Sequence, residues 1–411
     1  MRLRPLALLL LLLPVAAPAE ELSGYTEAKG FAFARRGPEG EARLLGWTTL
    51  FVKAERRLGG ARLAAALRAE DTSGGEVGSF AFDPADRHAK RPPLSARELW
   101  ARVALAPSLD LQLGRFELGW GKTDGYSPAD AFLPRDLSDP FADEKLPLWA
   151  ARLTGQRGSL RLESVLCPVT TPWRLPRLGG RNAPLPRDSP VGPVTFRDEE
   201  NAPPTAGFGA LRALATFGEW DVGAWARYGV RPAPLLQFAT QRAAVTPSGV
   251  LVPVERRYAR EGAAGVEASR VLGPWVVRGE AAALVSDDGD LGNALIGTLG
   301  AERGFGDATL LLTLAGNARK TPGEAGFLFD RGILPAFIAA WNRAESWGSW
   351  KVVWTAALRH GDGLVKAEVG YELTELWKVT AGADVPYGSE EGPLGSLHAA
   401  RRVRLAVRRA W

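Results

Sequence analysis

Apolar and polar residues alternate along much of this chain with a period of two, and the alternation restarts after each cluster of turn residues. Trp350, Val352, Trp354, Ala356 and Leu358 share one parity, against Lys351, Thr355 and Arg359. Val365, Ala367, Val369 and Tyr371 oppose Lys366, Glu368 and Glu372 in the same way, and Trp377, Val379, Ala381, Ala383 and Val385 oppose Lys378, Thr380 and Asp384. Earlier, Trp220, Val222, Ala224, Ala226 and Tyr228 oppose Asp221 and Arg227. The last run sets Val403, Leu405, Val407 and Trp411 against Arg402, Arg404 and Arg408, with Arg409 the misfit. Side chains change face at every residue of a strand, so each run has one apolar face and one ionic face.

The runs are roughly 9–14 residues long, the length of strands that cross a bilayer obliquely. Tight turns are expected near Leu58-Gly59-Gly60, Pro107-Ser108, Gln156-Arg157-Gly158, Gly218-Glu219, Leu272-Gly273-Pro274, Phe305-Gly306, Trp347-Gly348 and Glu375. Between them fall longer, polar connections at 71–95, 118–145, 169–204, 231–255 and 320–334, and shorter ones at 37–41, 286–292, 361–363 and 389–395. Short periplasmic turns alternating with longer extracellular loops define an all-β, closed, antiparallel transmembrane β-barrel of about 18 strands, with 16 as the alternative. The poorest alternation is in 335–346, where Phe337, Ile338, Ala339, Ala340 and Trp341 run together. Trp149, Trp220, Trp275, Trp350 and Trp377, with Tyr228, Tyr258 and Tyr371, fall at or near strand ends, as interfacial aromatic girdles do. A soluble sandwich also alternates, but its strands are commonly shorter, and a chain of this size would need several modules and linkers.

The N-terminus reads as an export signal: Arg2 and Arg4, an apolar stretch from Leu6 to Val15, then Ala17-Pro18-Ala19 before Glu20. The apolar stretch is short of the roughly 20 residues that a membrane helix needs. Residues 1–19 are therefore expected to be removed, leaving 20–411 as one barrel domain in the outer membrane of a Gram-negative cell. The single cysteine, Cys167, excludes an internal disulfide framework. The chain is basic, with a net charge of +5, but its arginines are spread over strands and form no patch, which argues against nucleic-acid binding. The strand pattern starts by about Leu22, which leaves no space in this sequence for the plug domain of an energised transporter or an autotransporter's passenger.

One segment departs from the alternation. Residues 118–145 are too long for an idle turn and carry Asp124, Asp130, Asp136, Asp139, Asp143 and Glu144 with Lys122 and Arg135 among them. If this loop folds inward it would narrow the lumen, and charged constrictions decide which solutes pass. The alternative is an outward acidic loop or a surface calcium site. Candidate constriction residues are Arg115, Lys122, Asp124, Asp130, Arg135, Asp136 and Asp139, together with Arg152, Arg227, Arg278 and Arg404 on the lumen faces of strands. Further lumen cations are Arg62, Arg68, Arg102, Arg161, Arg212, Arg402 and Arg408. Glu163, Glu280, Glu368 and Glu372 are their expected cross-strand partners, and an excess of arginine would favour anions.

Gly114-Arg115, Trp120-Gly121-Lys122 with Asp124-Gly125, and Leu133-Pro134-Arg135-Asp136 give the segment from Leu113 onward a pattern that resembles porin-like outer-membrane proteins of Gram-negative bacteria. Pro168 and Trp173-Arg174-Leu175-Pro176 extend it. The resemblance implies an outer-membrane barrel and says little about solute. The terminal Trp411 is similar to the tag by which the barrel-assembly machinery recognises its clients. The expected function is a porin-like channel for small solutes, anions among them, set in outer-membrane lipid and without cofactor or metal. The alternative is an outer-membrane component that passes lipid or hydrophobic cargo to or from a periplasmic partner, and a third reading is an adhesive barrel. An enzyme is disfavoured: only His88, His360 and His398 are present, and His360-Gly361-Asp362 has no accompanying nucleophile motif.

Overall fold

The computed structural model describes residues 21–411 except 80–82, 143, 184, 186–191, 200–204, 248 and 320–333. The expected export signal, Asp143 and most of the 320–334 connection lie outside the described residues. Eighteen strands form one antiparallel sheet, which settles the count on the larger of the two expected values. Each strand pairs with the next in sequence, from Glu21–Phe33, Leu44–Leu58 and Ala61–Thr72 through to Asp362–Glu372, Trp377–Tyr387 and Arg402–Ala410. The first strand pairs with the second along one edge and with the last along the other, from Tyr25 opposite Ala410 to Phe33 opposite Arg402. Trp411 extends that seam, exchanging two main-chain hydrogen bonds with Gly24 at 3.1 and 3.2 Å. The sheet is thus closed, with the strand edges that a bilayer would not tolerate paired to each other.

The two faces are those the alternation requires. Val403, Leu405 and Val407 are exposed, while Arg402 is buried on the opposite face with Asp384 and Asp139. Leu160, Leu162 and Leu166 are exposed beside Leu211, whereas Glu163 and Arg212 are buried. Trp220, Trp377, Tyr228 and Tyr371 are exposed on the outer surface. This is a transmembrane β-barrel, apolar outside and ionic inside; no described helix is long and apolar enough to cross a membrane.

The run of poor alternation is strand Ala336–Glu345. Its inward residues are apolar because they meet protein: Ile338 is buried, and a side chain added at Gly125 of the 118–145 loop would collide with it. The first wall strand starts and the last one finishes at the end of the tight turns, as the even strand number demands. At the other end the connections at 169–204 and 231–255 contain structure that periodicity did not reveal. Val194–Asp198, Leu235–Phe238, Ala244–Thr246 and Gly249–Arg257 form a small sheet, in which Val194–Asp198 runs parallel to Val250–Val254. Val254 packs there with Leu178 and Ala183, fixing the sheet to the 175–185 segment.

Candidate functional site

The 118–145 segment leaves strand Leu109–Phe116 and returns into Leu148–Arg157 by way of the lumen. Its own folding is local. Asp130 accepts the main-chain N–H groups of Trp120 and Gly121 at 2.8 and 2.9 Å and pairs with Lys145 at 2.5 Å. A short 3-10 turn covers Pro128–Asp130, and Arg135–Asp136 pairs with Glu144–Lys145. Trp120, Phe132 and Leu133 then bury themselves against Phe208, Trp225, Ala282 and Ile296, all on the inward faces of wall strands. Phe132 meets Trp120 and Phe208 edge-on at 5.8 Å centroid separation. Burying each such ring contributes roughly 1.5–3 kcal/mol, enough to hold the loop against this wall without a dedicated ion pair.

The tip of the loop is held by polar contacts. Glu280, in strand Trp275–Ser286, accepts the N–H groups of Lys122 and Thr123, both at 2.6 Å, and the Thr123 hydroxyl at 2.8 Å through one oxygen. Its other oxygen accepts the Ser127 hydroxyl at 2.6 Å and the Ala129 N–H at 3.2 Å. Two strands away, Thr313 donates to the Asp124 carbonyl at 2.8 Å.

The base of the loop is held by charge. Arg68, Arg91, Arg97, Arg115 and Arg174 interleave with Glu70, Asp86, Asp136 and Glu144 in a buried ionic knot. It joins three connections: 83–91, 118–145 and 169–185. Asp136 has no exposed surface; Arg91 lies 2.9 Å from it, Arg174 pairs with it, and Ser138 donates to it at 2.6 Å. Burial opposes its ionisation, but Arg91 and Arg174 outweigh that and hold its carboxyl far below the usual range. Glu144 is likewise desolvated, yet Arg68, Arg97 and Arg91 bring it down to about 2. Asp139 is lowered against its own burial by Arg402.

The candidate residues therefore fall in different settings. Arg115 is fully enclosed, paired with Asp86 and donating to the Ala96 carbonyl at 2.6 Å. Asp130, Asp136 and Asp139 turn to Lys145, to Arg91 with Arg174, and to Arg402. They do not converge, and no group of three potential metal ligands occurs among the described residues. Arg227 is buried over the Phe132 ring and beside Glu261 at 3.3 Å. Asp124 and Arg278 meet at the tip, where Arg278 bridges Glu302 at 2.7 Å and Asp124 at 3.6 Å, while the Lys122 ammonium reaches the Asp221 carbonyl at 3.5 Å. Arg404 pairs with Glu368 at 2.5 Å, and Arg152 donates to Gln112 at 2.5 Å. Arg135 is half-buried and borders a cavity described below.

Most of the further lumen cations also have carboxylate partners: Arg62 with Glu55, Arg102 with Asp110, Arg161 with Glu163, Arg212 with Glu267 and Arg408 with Glu27. Of the four expected acidic partners, Glu280 takes the loop in place of an arginine, and Glu372 meets Lys378. The residues the sequence did not mark are Asp86, Arg91 and Arg97, which sit in or beside a connection with no signal beyond its polarity. Arg174 and Trp173 were marked only by the resemblance; Trp173 donates its indole N–H to the Leu133 carbonyl at 2.8 Å.

Open space remains on two sides of the 138–141 stretch. Toward the loop end, a cavity of about 410 Å³ is bordered by Glu76, Ser138, Arg177, Asn182 and Arg256. Burial raises the Glu76 carboxyl there, and nearby Asp139 adds to the effect. Between the loop and strands Ala336–Glu345, Gly348–Ala357 and Asp362–Glu372 lies a second cavity of about 230 Å³, bordered by Tyr126, Trp173, Ile338 and Leu364 with Arg135 and Lys366. Lys366 donates to the Phe141 carbonyl at 2.6 Å. The His360-Gly361-Asp362 motif is dispersed: the Asp362 carboxylate accepts the N–H groups of Leu394 and Gly395 at 2.6 and 2.7 Å.

No protein-family model matches the chain, and no curated protein sequence matches it. Solved structures do. The chain is similar to Pseudomonas aeruginosa OccK2 (OpdF), with a TM-score of 0.52 and 10% identity over 96% of this chain and 98% of that one. It is also similar to Pseudomonas aeruginosa OpdK, solved with vanillate, at 0.48 and 12% over 96% and 100%. A mutant Rh. blastica porin gives 0.41 and 12% over 95% and 99%. At 10% identity the likeness to OccK2 is one of fold, that of a porin-like β-barrel.

Proposed function

We propose that this protein is an outer-membrane channel for the passive passage of small solutes, exported by a cleaved signal into a Gram-negative envelope with its long connections outside. The observation that carries the reading is a sealed barrel whose outside suits lipid and whose charged interior holds an inward loop with space left beside it. A loop anchored across a charged lumen selects solutes by width and field. The preference we assign is for anions. It does not rest on the bulk of the lumen arginines, which have carboxylate partners. Its support is that Arg135 and Lys366 border the cavity left between the loop and the wall, so that a solute passing there meets two cationic side chains among apolar ones. The loop carboxylates Asp130, Asp136 and Asp139 serve as anchors, and Lys122, Asp124, Arg278, Arg404 and Arg152 are the lumen residues left to meet solute. Trp411 serves as the handle for the barrel-assembly machinery.

Purified protein in planar bilayers should show stepwise conductance, and a salt gradient should give a reversal potential of anionic sign. A clear cation preference would end the anion assignment alone. Folded protein that inserts and never conducts would end the channel reading, in favour of a sealed barrel that hands hydrophobic cargo to a periplasmic partner.

A further inference from the structure

We infer that Glu280 is the positioning residue of the channel, the wall carboxylate that seats the tip of the inward loop and so fixes the width of the passage beside it. The passage belongs to the channel reading above; the seating does not depend on it. Glu280 receives three main-chain N–H groups and the Ser127 hydroxyl from one short stretch, Lys122–Ala129, and shares the Thr123 hydroxyl with the Tyr126 carbonyl. A carboxylate offers about four acceptor sites, so this one is saturated by the loop. Among the described residues it forms no ion pair; its charge is balanced by converging N–H and O–H dipoles, as in a main-chain anion nest.

The tip has little freedom to sit elsewhere. Gly121 is so close to Ser127 and Asp130 that an added Cβ would collide with the Ser127 hydroxyl oxygen. Gly125, at φ +82°, brings the main chain against Ile338, where an added Cβ would lie 2.8 Å from Cδ1. The tip therefore touches strands Trp275–Ser286, Ala308–Arg319 and Ala336–Glu345 at once, and it is at the first that one side chain gathers most of its donors. Glutamine in place of Glu280 turns one acceptor into a donor facing N–H or O–H groups. Aspartate keeps the charge but withdraws it by one methylene. Both changes unseat the tip, and only the first alters the lumen's charge.

The test places a spin label at Asp124→Cys in a Cys167→Ser background and compares Glu280 with Glu280→Gln and Glu280→Asp, each checked for the heat-modifiable gel migration of a folded barrel. The expected result is loss of the immobile spectral component in both variants. An immobile label in both would overturn the seating. In unlabelled protein, both variants should show raised open-channel noise and a shifted conductance; conductance and noise identical to those of the parent would overturn the control of width. If Glu280→Gln does not fold, Glu280→Asp decides both points. Absence of current from the parent protein would remove the channel reading, and the spectra would still decide the seating.

Discussion

Asp136 shows how much of the inward loop and the connections packed on it, together a plug within the barrel, hangs on single ionic residues. Its carboxylate lies between Arg91 and Arg174 with no water contact. Asp136→Asn would leave both guanidinium groups buried without that charge, and removing one member of a buried pair typically costs about 3–5 kcal/mol. The expected outcome is looser packing of the plug with the barrel intact, read as weakened near-ultraviolet circular dichroism from Trp120 and Trp173 and an unchanged far-ultraviolet spectrum. The same residues set an acid limit. Asp136 and Glu144 have folded pKa values below their ordinary ones, so their contribution is present above the ordinary carboxylate range and is lost as pH falls through the folded value. For Glu144 that window runs from 4.5 down to about 2. The near-ultraviolet signal should decline across it on acidification, and a flat signal there would show that the knot does not order the plug.

At the scale of elements, the inward loop is a small hydrophobic core that uses the barrel wall as its second layer. Phe132→Ala would open a cavity among Trp120, Phe208 and Trp225, with an expected cost of about 3–5 kcal/mol, measurable by urea unfolding of the detergent-folded protein. Turn residues and alternation gave away the wall strands, because each strand carries its own record of inside and outside. The loops carried less. The acidic stretch announced itself by length and charge, but nothing in it says that Glu280 is its seat. The sheet at the loop end is built from fragments such as Ala244–Thr246 and Leu235–Phe238, too short for a period to register. Strand Ala336–Glu345 was hard to read for the opposite reason: an inward face that meets protein is as apolar as the outward one.

For the molecule as a whole, the bilayer acts as the solvent of the outer face. Leu405, exposed near the middle of the closing strand, faces hydrocarbon in the channel reading. Leu405→Arg should weaken folding into phospholipid vesicles by roughly 2–4 kcal/mol, whereas Leu405→Ile should leave it nearly unchanged. If Trp411 is the assembly handle, deleting it should slow insertion in cells far more than unassisted insertion into vesicles. Equal loss in both would assign Trp411 to the seam alone, through its main-chain pairing with Gly24.

What the sequence by itself determined is the wall: its strands to within one hairpin, their up-and-down order, and which of their residues face outward. These follow from a two-residue period and from turns between neighbours in the chain, which are local properties. Only the tertiary structure decided what fills the wall. Glu280 meets Lys122 across 158 positions, and Arg402 meets Asp139 across 263. Such partners share no period, and a charge on a lumen face can find a neighbouring strand, an inward loop or a solute. The closed sheet chooses among them by bringing a limited set of groups into reach in a space with little water, where a buried charge must be paired or hydrogen-bonded.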